Sequence, residues 1–258
     1  LAVWAWALPF AARRAVGALF RRRGWRVPWR LATGALGAWG LHALTGWGVW
    51  WWIGPIVVFG VVPVVDLLTG LDRSNPPDDV IEALENDRYY RWITYLYLPI
   101  QYAALVWACW MFTRGGLPVV DRVGLALSIG MIAGIGINTA HELGHKKEQH
   151  ERWLAKIALA QSFYGHFYIE HNRGHHVRVA TPEDPASSRV GESLYALLPR
   201  TALGSLRSAW RLEKPRFRRR QKSHWSIRND VLNSWLMSLV LWGALVASFG
   251  WGVLPFLL

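Results

Sequence analysis

The sequence has few charged residues and almost no cysteine. Asp, Glu, Lys and Arg together make up 18% of the 258 residues, while hydrophobic residues make up 52%. So small a charged fraction is uncommon in soluble domains, and it favours a membrane protein. Cys109 is the only cysteine. The chain therefore has no intrachain disulfide, no cysteine-ligated iron–sulfur cluster and no thiolate zinc site.

Acidic residues are also scarce relative to basic ones. The chain has 17 Asp and Glu against 29 Lys and Arg, which gives a formal net charge of +12. This charge alone does not separate anionic lipid, an acidic protein and nucleic acid as partners. The 18 Trp and 8 Tyr residues favour the bilayer interface, where rings with a polar edge are enriched. We therefore expect membrane lipid rather than nucleic acid as a partner.

Long apolar runs predict an all-α integral membrane fold. The run from Leu31 to Leu68 is nearly twice the length of about 20 residues that one crossing needs, so it predicts a helical hairpin. Its turn is expected near Gly46 to Gly48. Complete crossings are then predicted at Trp92 to Phe112, Val123 to Ala140 and Val231 to Phe249, and an incomplete sixth begins at Trp251. The predicted fold is a bundle of five complete transmembrane helices and one incomplete helix.

Basic residues predict the orientation of these helices. Residues 1–30 contain seven arginines, and we interpret them as a basic cytoplasmic segment that precedes a membrane domain of residues 31–258. Counting crossings from this end places the segment from Lys146 to Asp230 in the cytoplasm as well. That segment contains a second basic cluster, and its amphipathic stretches predict interfacial helices at Trp153 to Ile169 and Leu194 to Trp210.

Five of the nine histidines fall in two short clusters, within residues 141–145 and 171–176. His141 and His145 are four residues apart, so on a helix they share one face. His171 and His175 repeat this spacing, and we expect His176 to point to the side. Imidazoles suit iron or zinc, whereas magnesium and calcium prefer oxygen ligands. We predict all five histidines as ligands of a metal site at the cytoplasmic end of the fourth crossing.

The first cluster alone allows a second interpretation. Its His-Glu-x-x-His pattern is also that of zinc peptidases, in which Glu142 would be the general base. Three ligands and an open position suffice for a catalytic zinc, so a peptidase does not need the second cluster. The two clusters together favour iron, and a membrane zinc metallopeptidase remains an alternative.

Other polar residues near the clusters are candidates to support the metal ligands. The carboxylates of Glu142, Glu170 and Asp184 could accept the second ring N–H of a ligand histidine, although solvated surface positions are the ordinary alternative. His166 is a further candidate, because it lies close to the second cluster. We expect His42 to be packed within the first hairpin.

Three segments carry a family resemblance. They are Asn138 to Lys146, Glu170 to His176 and Thr181 to Ser188. With both histidine clusters in place, the chain resembles the membrane alkane monooxygenases, within the broader membrane desaturase and hydroxylase superfamily.

This resemblance implies a bacterial inner-membrane enzyme with two non-haem iron ions. It would hydroxylate the terminal carbon of an n-alkane to a 1-alkanol with dioxygen, and receive electrons from rubredoxin and rubredoxin reductase. Further histidine ligands are expected after Leu258, so the site is expected to be incomplete in this chain. Candidates for lining the substrate channel are Trp50, Trp51, Trp52 and Phe59. The alternatives are a fatty-acid desaturase or hydroxylase, a xylene-type monooxygenase and an inactive fragment.

Overall fold

The computed structural model describes residues 37–69 and 88–258, and all regular secondary structure in these two ranges is helical. The predicted basic segment of residues 1–30 lies outside them. The start of the first predicted crossing and most of the polar stretch between Thr69 and Arg91 also lie outside them.

The described residues form the following helices in chain order. They are α1 (37–45), α2 in four consecutive pieces (Gly48–Trp52, Ile53–Pro55, Ile56–Val61 and Val62–Thr69), α3 (Arg88–Arg114), α4 (Val119–Gly144), α5 (Gln149–Ala160), α6 in three consecutive pieces (Phe167–Glu170, His171–His175 and His176–Arg178), α7 (Leu194–Arg219), α8 (Asp230–Phe249) and α9 in two pieces (Trp251–Val253 and Leu254–Leu257).

Four helical segments in the described ranges are long and apolar enough to cross a membrane. They are Gly48–Leu68, Thr94–Arg114, Val119–Gly144 and Asp230–Phe249. They correspond to the second to fifth predicted crossings and confirm the all-α fold. The first crossing falls partly outside the described residues, so the total number of crossings stays a prediction.

The turn of the predicted hairpin lies at Gly46, within the predicted range. Gly46 has a φ of 72°, a left-handed conformation that glycine adopts without a steric penalty, and it separates α1 from α2. The interfacial helix predicted from Trp153 to Ile169 is wrong as one element. Helix α5 ends at Ala160, and the chain turns through Phe163, which has a φ of 55°, before α6 starts.

One compact unit contains residues 1–136 and 245–258, and in its described part α2 packs on α4. The Ser128 hydroxyl accepts from the Gly54 N–H at 3.0 Å and donates to the Trp51 carbonyl at 2.7 Å. A Cβ at Gly54 would collide with the backbone of Ser128, so this close approach requires glycine. The buried Trp51 ring packs against His42 at 5.1 Å and Trp107 at 6.2 Å. His42 is thus a packed histidine, as expected.

The other unit contains residues 137–244 and is held together by an ionic network. The network is formed by Lys156 of α5, Arg173 of α6, Glu213 and Arg216 of α7, and Asp230 of α8. Arg173 donates to Glu213 at 2.6 Å and to Asp230 at 2.9 Å, and Lys156 donates to Asp230 at 2.7 Å. Glu213 is fully buried and pairs with both Arg173 and Arg216, so loss of either arginine would leave its buried charge with a single partner, which is costly. The network therefore fixes α6, which carries the second histidine cluster, against α7 and α8.

The same network explains why α7 extends beyond its predicted end. The amphipathic stretch predicted from the sequence ends at Trp210. Buried Glu213 instead pairs with Arg216 in the next turn at 2.7 Å, and the helix continues to Arg219.

Candidate metal centre

The C-terminal end of α4 carries the first pair of histidines. His141 lies in its last turn, and the His145 N–H donates to the His141 carbonyl at 3.2 Å, which extends the turn beyond Gly144. The two side chains therefore share one face, as their spacing predicts. Their Nε2 atoms are 3.0 Å apart.

The second cluster lies on a π-helical turn within α6. The His176 N–H donates to the carbonyl of His171, five residues earlier, instead of four as in an α-helix. This wider turn places His176 beside His171, and their Nε2 atoms are 3.0 Å apart. The prediction that His176 points to the side is wrong, because it assumed an unbroken α-helix.

The two pairs meet at a single point. His145 Nε2 lies 3.1 Å from His171 Nε2, and one ligand atom from each of His141, His145, His171 and His176 lies within 4.8 Å of every other. Two imidazole nitrogens bound at right angles, each about 2.1 Å from one ion, would be about 3.0 Å apart. The group could therefore hold one metal ion. Its donors are all nitrogen, which suits iron or zinc better than magnesium or calcium.

Burial favours the neutral form of two of these imidazoles, those of His171 and His145. It lowers the pKa of His171 to about 3, and the neighbouring His141 and His176 lower it further in the same direction. Burial and the same two neighbours also lower the pKa of His145. A neutral imidazole is the form that binds a metal, so at neutral pH His171 and His145 would not have to release protons first.

His175 lies next to this group and contacts a carboxylate. Its Nδ1 atom is 2.8 Å from Asp184 Oδ2, and Asp184 is buried. Burial raises the pKa of Asp184, but hydrogen bonds from the Ser187 hydroxyl and the Ala186 N–H outweigh it and hold the pKa below its usual value. A charged carboxylate on one ring nitrogen is the usual way to orient a ligand histidine. The ligand role of His175 stays a prediction.

The other predicted supporting residues have different environments. Glu142 is exposed, and its carboxylate lies 3.3 Å from His141 Nδ1. The buried Glu170 carboxylate accepts from Arg178 at 2.8 Å, and burial raises its pKa. His166 is buried against the Tyr164 ring at 4.7 Å, and burial lowers its pKa to about 4. The supporting roles of all three stay predictions.

Sequence reasoning missed the group that holds the Asp184 loop in place. Arg200 of α7 donates to both Glu192 carboxylate oxygens, at 2.6 and 2.7 Å, and to the carbonyls of Pro185 and Ser187. Arg200 and Glu192 are eight residues apart and not on one helix, so no local spacing indicates the pair. His224, for which the sequence suggests no partner, lies against the rings of Trp210 and Trp225.

The four channel candidates lie at different depths of the protein. Trp51 is buried between other rings, and Phe59 is 73% exposed. The Trp50 indole donates to the Thr45 hydroxyl at 2.8 Å, and a Cβ at Gly124 would collide with the Trp52 indole. Trp51 therefore contributes to helix packing, and the channel role of all four stays a prediction.

Comparisons with known proteins identify the family. The model of the fatty acid desaturase family matches residues 122–258, more than half of the chain. The chain is 48% identical to alkane 1-monooxygenase 1 of Alcanivorax borkumensis, over 84% of this chain and 54% of that protein. It is 47% identical to an alkane 1-monooxygenase of Pseudomonas putida, over 88% of this chain and 56% of that protein.

A more distant relative is the hydroxylase component of a Pseudomonas putida xylene/toluene monooxygenase. It is 26% identical over 76% of this chain and 52% of its own length. The chain thus spans about half the length of the relatives it matches. Given the family match over 122–258 and the four apolar helices, the chain is an integral membrane protein that belongs to the fatty acid desaturase family.

Proposed function

We propose that this chain belongs to a rubredoxin-dependent di-iron monooxygenase that hydroxylates the terminal carbon of n-alkanes to 1-alkanols with dioxygen. The observation that carries the proposal is the convergence of four imidazole Nε2 atoms from His141, His145, His171 and His176. The similarity to two alkane 1-monooxygenases, at 47 and 48% identity, supports the substrate class.

Three groups of residues would have distinct roles in this reaction: the converging imidazoles, Asp184 and the ionic network. The four imidazoles would hold an iron ion, and bound iron supplies the activation of dioxygen. Asp184 would fix the ring of His175 through the 2.8 Å contact with Nδ1. The ionic network would keep the π-turn of α6 in place, because Arg173 lies within that turn and binds Glu213 and Asp230.

The histidine group lies at the end of a membrane-spanning helix, a location that suits reactants of opposite polarity. An n-alkane partitions into lipid, whereas rubredoxin is a water-soluble protein, so the reaction belongs at the end of a membrane-spanning helix. His141 and His145 lie at such an end. We infer that this end faces the cytoplasm of a bacterial inner membrane, because the basic residues of segment 1–30 are expected on that side.

The test uses the full-length protein in membranes, supplied with rubredoxin, rubredoxin reductase and reductant. Octane, xylene and a fatty acyl substrate are offered in parallel, and the products are separated by gas chromatography. We expect 1-octanol as the main product, and we expect His171→Ala and His176→Ala to abolish it. His150→Ala is the control, since His150 is exposed and outside the converging group.

Each rival function has its own outcome. Preferential oxidation of xylene would favour the function named for the more distant relative, and a desaturated or hydroxylated acyl product would favour a fatty-acid desaturase or hydroxylase. Zinc without iron in the purified full-length protein would favour the peptidase alternative. Any of these three results contradicts the proposal.

A further inference from the structure

A pocket of about 530 Å³ lies at the beginning of α8, within the unit of residues 137–244. Its lining changes character from one end to the other. The polar end includes Lys156, Arg228 and Asn233, and the apolar side includes Leu236, Met237 and Val240. We propose that this pocket binds one anionic phospholipid, with the phosphate at the polar end and an acyl chain along α8.

The polar end has an excess of positive charge. Lys156 is 2% exposed; its ammonium donates to Asp230 at 2.7 Å and to Asn233 at 3.2 Å, and lies 4.3 Å from the centre of the Trp153 ring. The network it joins contains three cations, from Lys156, Arg173 and Arg216, and two carboxylates, from Glu213 and Asp230. Of the groups that line the pocket, Lys156 and Arg228 are cationic and Asp230 is anionic, so one positive charge is left over there. An anion in the pocket would offset this charge.

The apolar side runs along a helix that crosses the membrane. Leu236 and Val240 are 44 and 64% exposed, and a spacing of four residues places them on one face of α8. Exposed leucine and valine on such a helix suit an acyl chain. A free phosphate would use only the polar end of the pocket, and a neutral lipid would use only its apolar side. An anionic phospholipid matches both.

Aromatic residues place the polar end at the level of lipid headgroups. Trp225 is 68% exposed, and its ring lies tilted against those of His224 and Trp210 a few residues before α8 begins. Trp153 lines the pocket and is 40% exposed. Exposed tryptophans at the end of a membrane-crossing helix mark the boundary between hydrocarbon and water. The Lys156 and Arg228 charges therefore lie at the depth of a phospholipid phosphate.

The test is a lipid titration of the purified 258-residue chain in detergent, followed by native mass spectrometry. The probes are dioleoyl phosphatidylglycerol, dioleoyl phosphatidylcholine and glycerol 3-phosphate, which is an anionic headgroup without chains. We expect the first phosphatidylglycerol to bind about five-fold more weakly to Arg228→Gln, because one interfacial basic residue is lost. Arg228→Lys should retain the binding, which shows that the charge rather than the fold is responsible.

Two matched controls distinguish binding of the lipid in this pocket from non-specific attraction of an anionic lipid to the basic protein surface. Arg219→Gln removes the same charge from exposed Arg219, which does not line the pocket, and should leave binding unchanged. Leu236→Trp should obstruct the acyl chain, whereas Leu239→Trp, at a 59% exposed position outside the lining, should not. Equal binding of the two lipids, or equal effects of Arg219→Gln and Arg228→Gln, would overturn the proposal. Glycerol 3-phosphate binding as tightly as phosphatidylglycerol would also overturn it.

Discussion

At the scale of single residues, Asp184 is expected to orient the imidazole of His175 without binding the metal itself. Asp184 accepts from the Ser187 hydroxyl, from the Ala186 N–H and from the ring of His175. If His175 joins the four converging histidines as a ligand, as its sequence position predicts, we expect Asp184→Asn to weaken iron binding by about 10- to 100-fold, the usual effect of losing a partner of a ligand histidine. The measurement is a titration of the purified protein with Fe(II).

Glu183→Gln is the control for that substitution. Glu183 is the adjacent residue in the chain and is exposed, so its charge can be removed without touching His175. Equal iron affinities of Asp184→Asn and the unsubstituted protein would show that His175 does not act through Asp184.

The pair of Glu192 and Arg200 predicts how the loop around Asp184 responds to acid. The Arg200 guanidinium and the Arg189 N–H lower the pKa of Glu192 to about 2. Because the pKa is lower in the folded protein, the pair stabilises the fold above the ordinary glutamate pKa of about 4.3, and this contribution is lost as pH falls toward 2. We expect Glu192→Gln to lower the melting temperature at neutral pH, with a difference that shrinks between about pH 4 and pH 2.

Thermal melts of the two proteins across this pH range measure the effect. Glu183→Gln again serves as the control, because Glu183 is exposed and should show no such pH-dependent difference. A constant difference between Glu192→Gln and the unsubstituted protein at every pH would contradict the assigned ionic role.

At the scale of a helix, the π-turn of α6 packs a glycine closely against an ion pair. A Cβ at Gly174 would collide with the carboxylate of Glu170 and the guanidinium of Arg178, which are themselves paired at 2.8 Å. We expect Gly174→Ala to destabilise the fold by about 1–3 kcal/mol, as overpacking of a filled site does. Iron binding should weaken in parallel, since the same turn carries His171 and His176.

Gly243→Ala is a suitable comparison, because nothing lies within 4 Å of a Cβ there and the residue is inside α8. That substitution should stabilise its helix by about 0.5–1 kcal/mol. Chemical unfolding in detergent measures both changes. Equal stability of the Gly174→Ala and Gly243→Ala proteins would show that the π-turn tolerates a side chain.

At the scale of the whole molecule, the sequence predicts periodic features well and tertiary pairing poorly. Apolar runs locate the helices because about 20 apolar residues have few other stable arrangements. The i, i+4 spacing correctly places His141 beside His145 and His171 beside His175, whose rings stack at 5.4 Å. It does not predict that His176 meets His171, because a local π-turn has no signature in histidine spacing. The ionic network of Lys156, Glu213 and Asp230 joins residues far apart in sequence, and only the folded chain brings them together.

The converging histidines also predict how the whole chain responds to iron. Three pairs of the four Nε2 atoms are 3.0–3.1 Å apart and all four ligand atoms lie within 4.8 Å of one another, which suits one ion, so we expect the 258-residue chain to bind about one Fe(II) and not two. An ion that binds only the folded state stabilises it by about 2.7 kcal/mol at a concentration 100-fold above its Kd. For a chain of this size, that corresponds to a rise in melting temperature of several degrees, roughly 2–4 °C per kcal/mol.

Magnesium should produce no such rise, because the four imidazoles offer it no oxygen ligand. His171→Ala should abolish the response to iron, since His171 Nε2 contacts the Nε2 atoms of both His145 and His176, whereas His150→Ala should retain it. Iron content from mass spectrometry and melting curves with and without Fe(II) provide the measurement. Two irons recovered from the chain would contradict the prediction, because residues outside this four-histidine group would then complete a second site within the 258 residues.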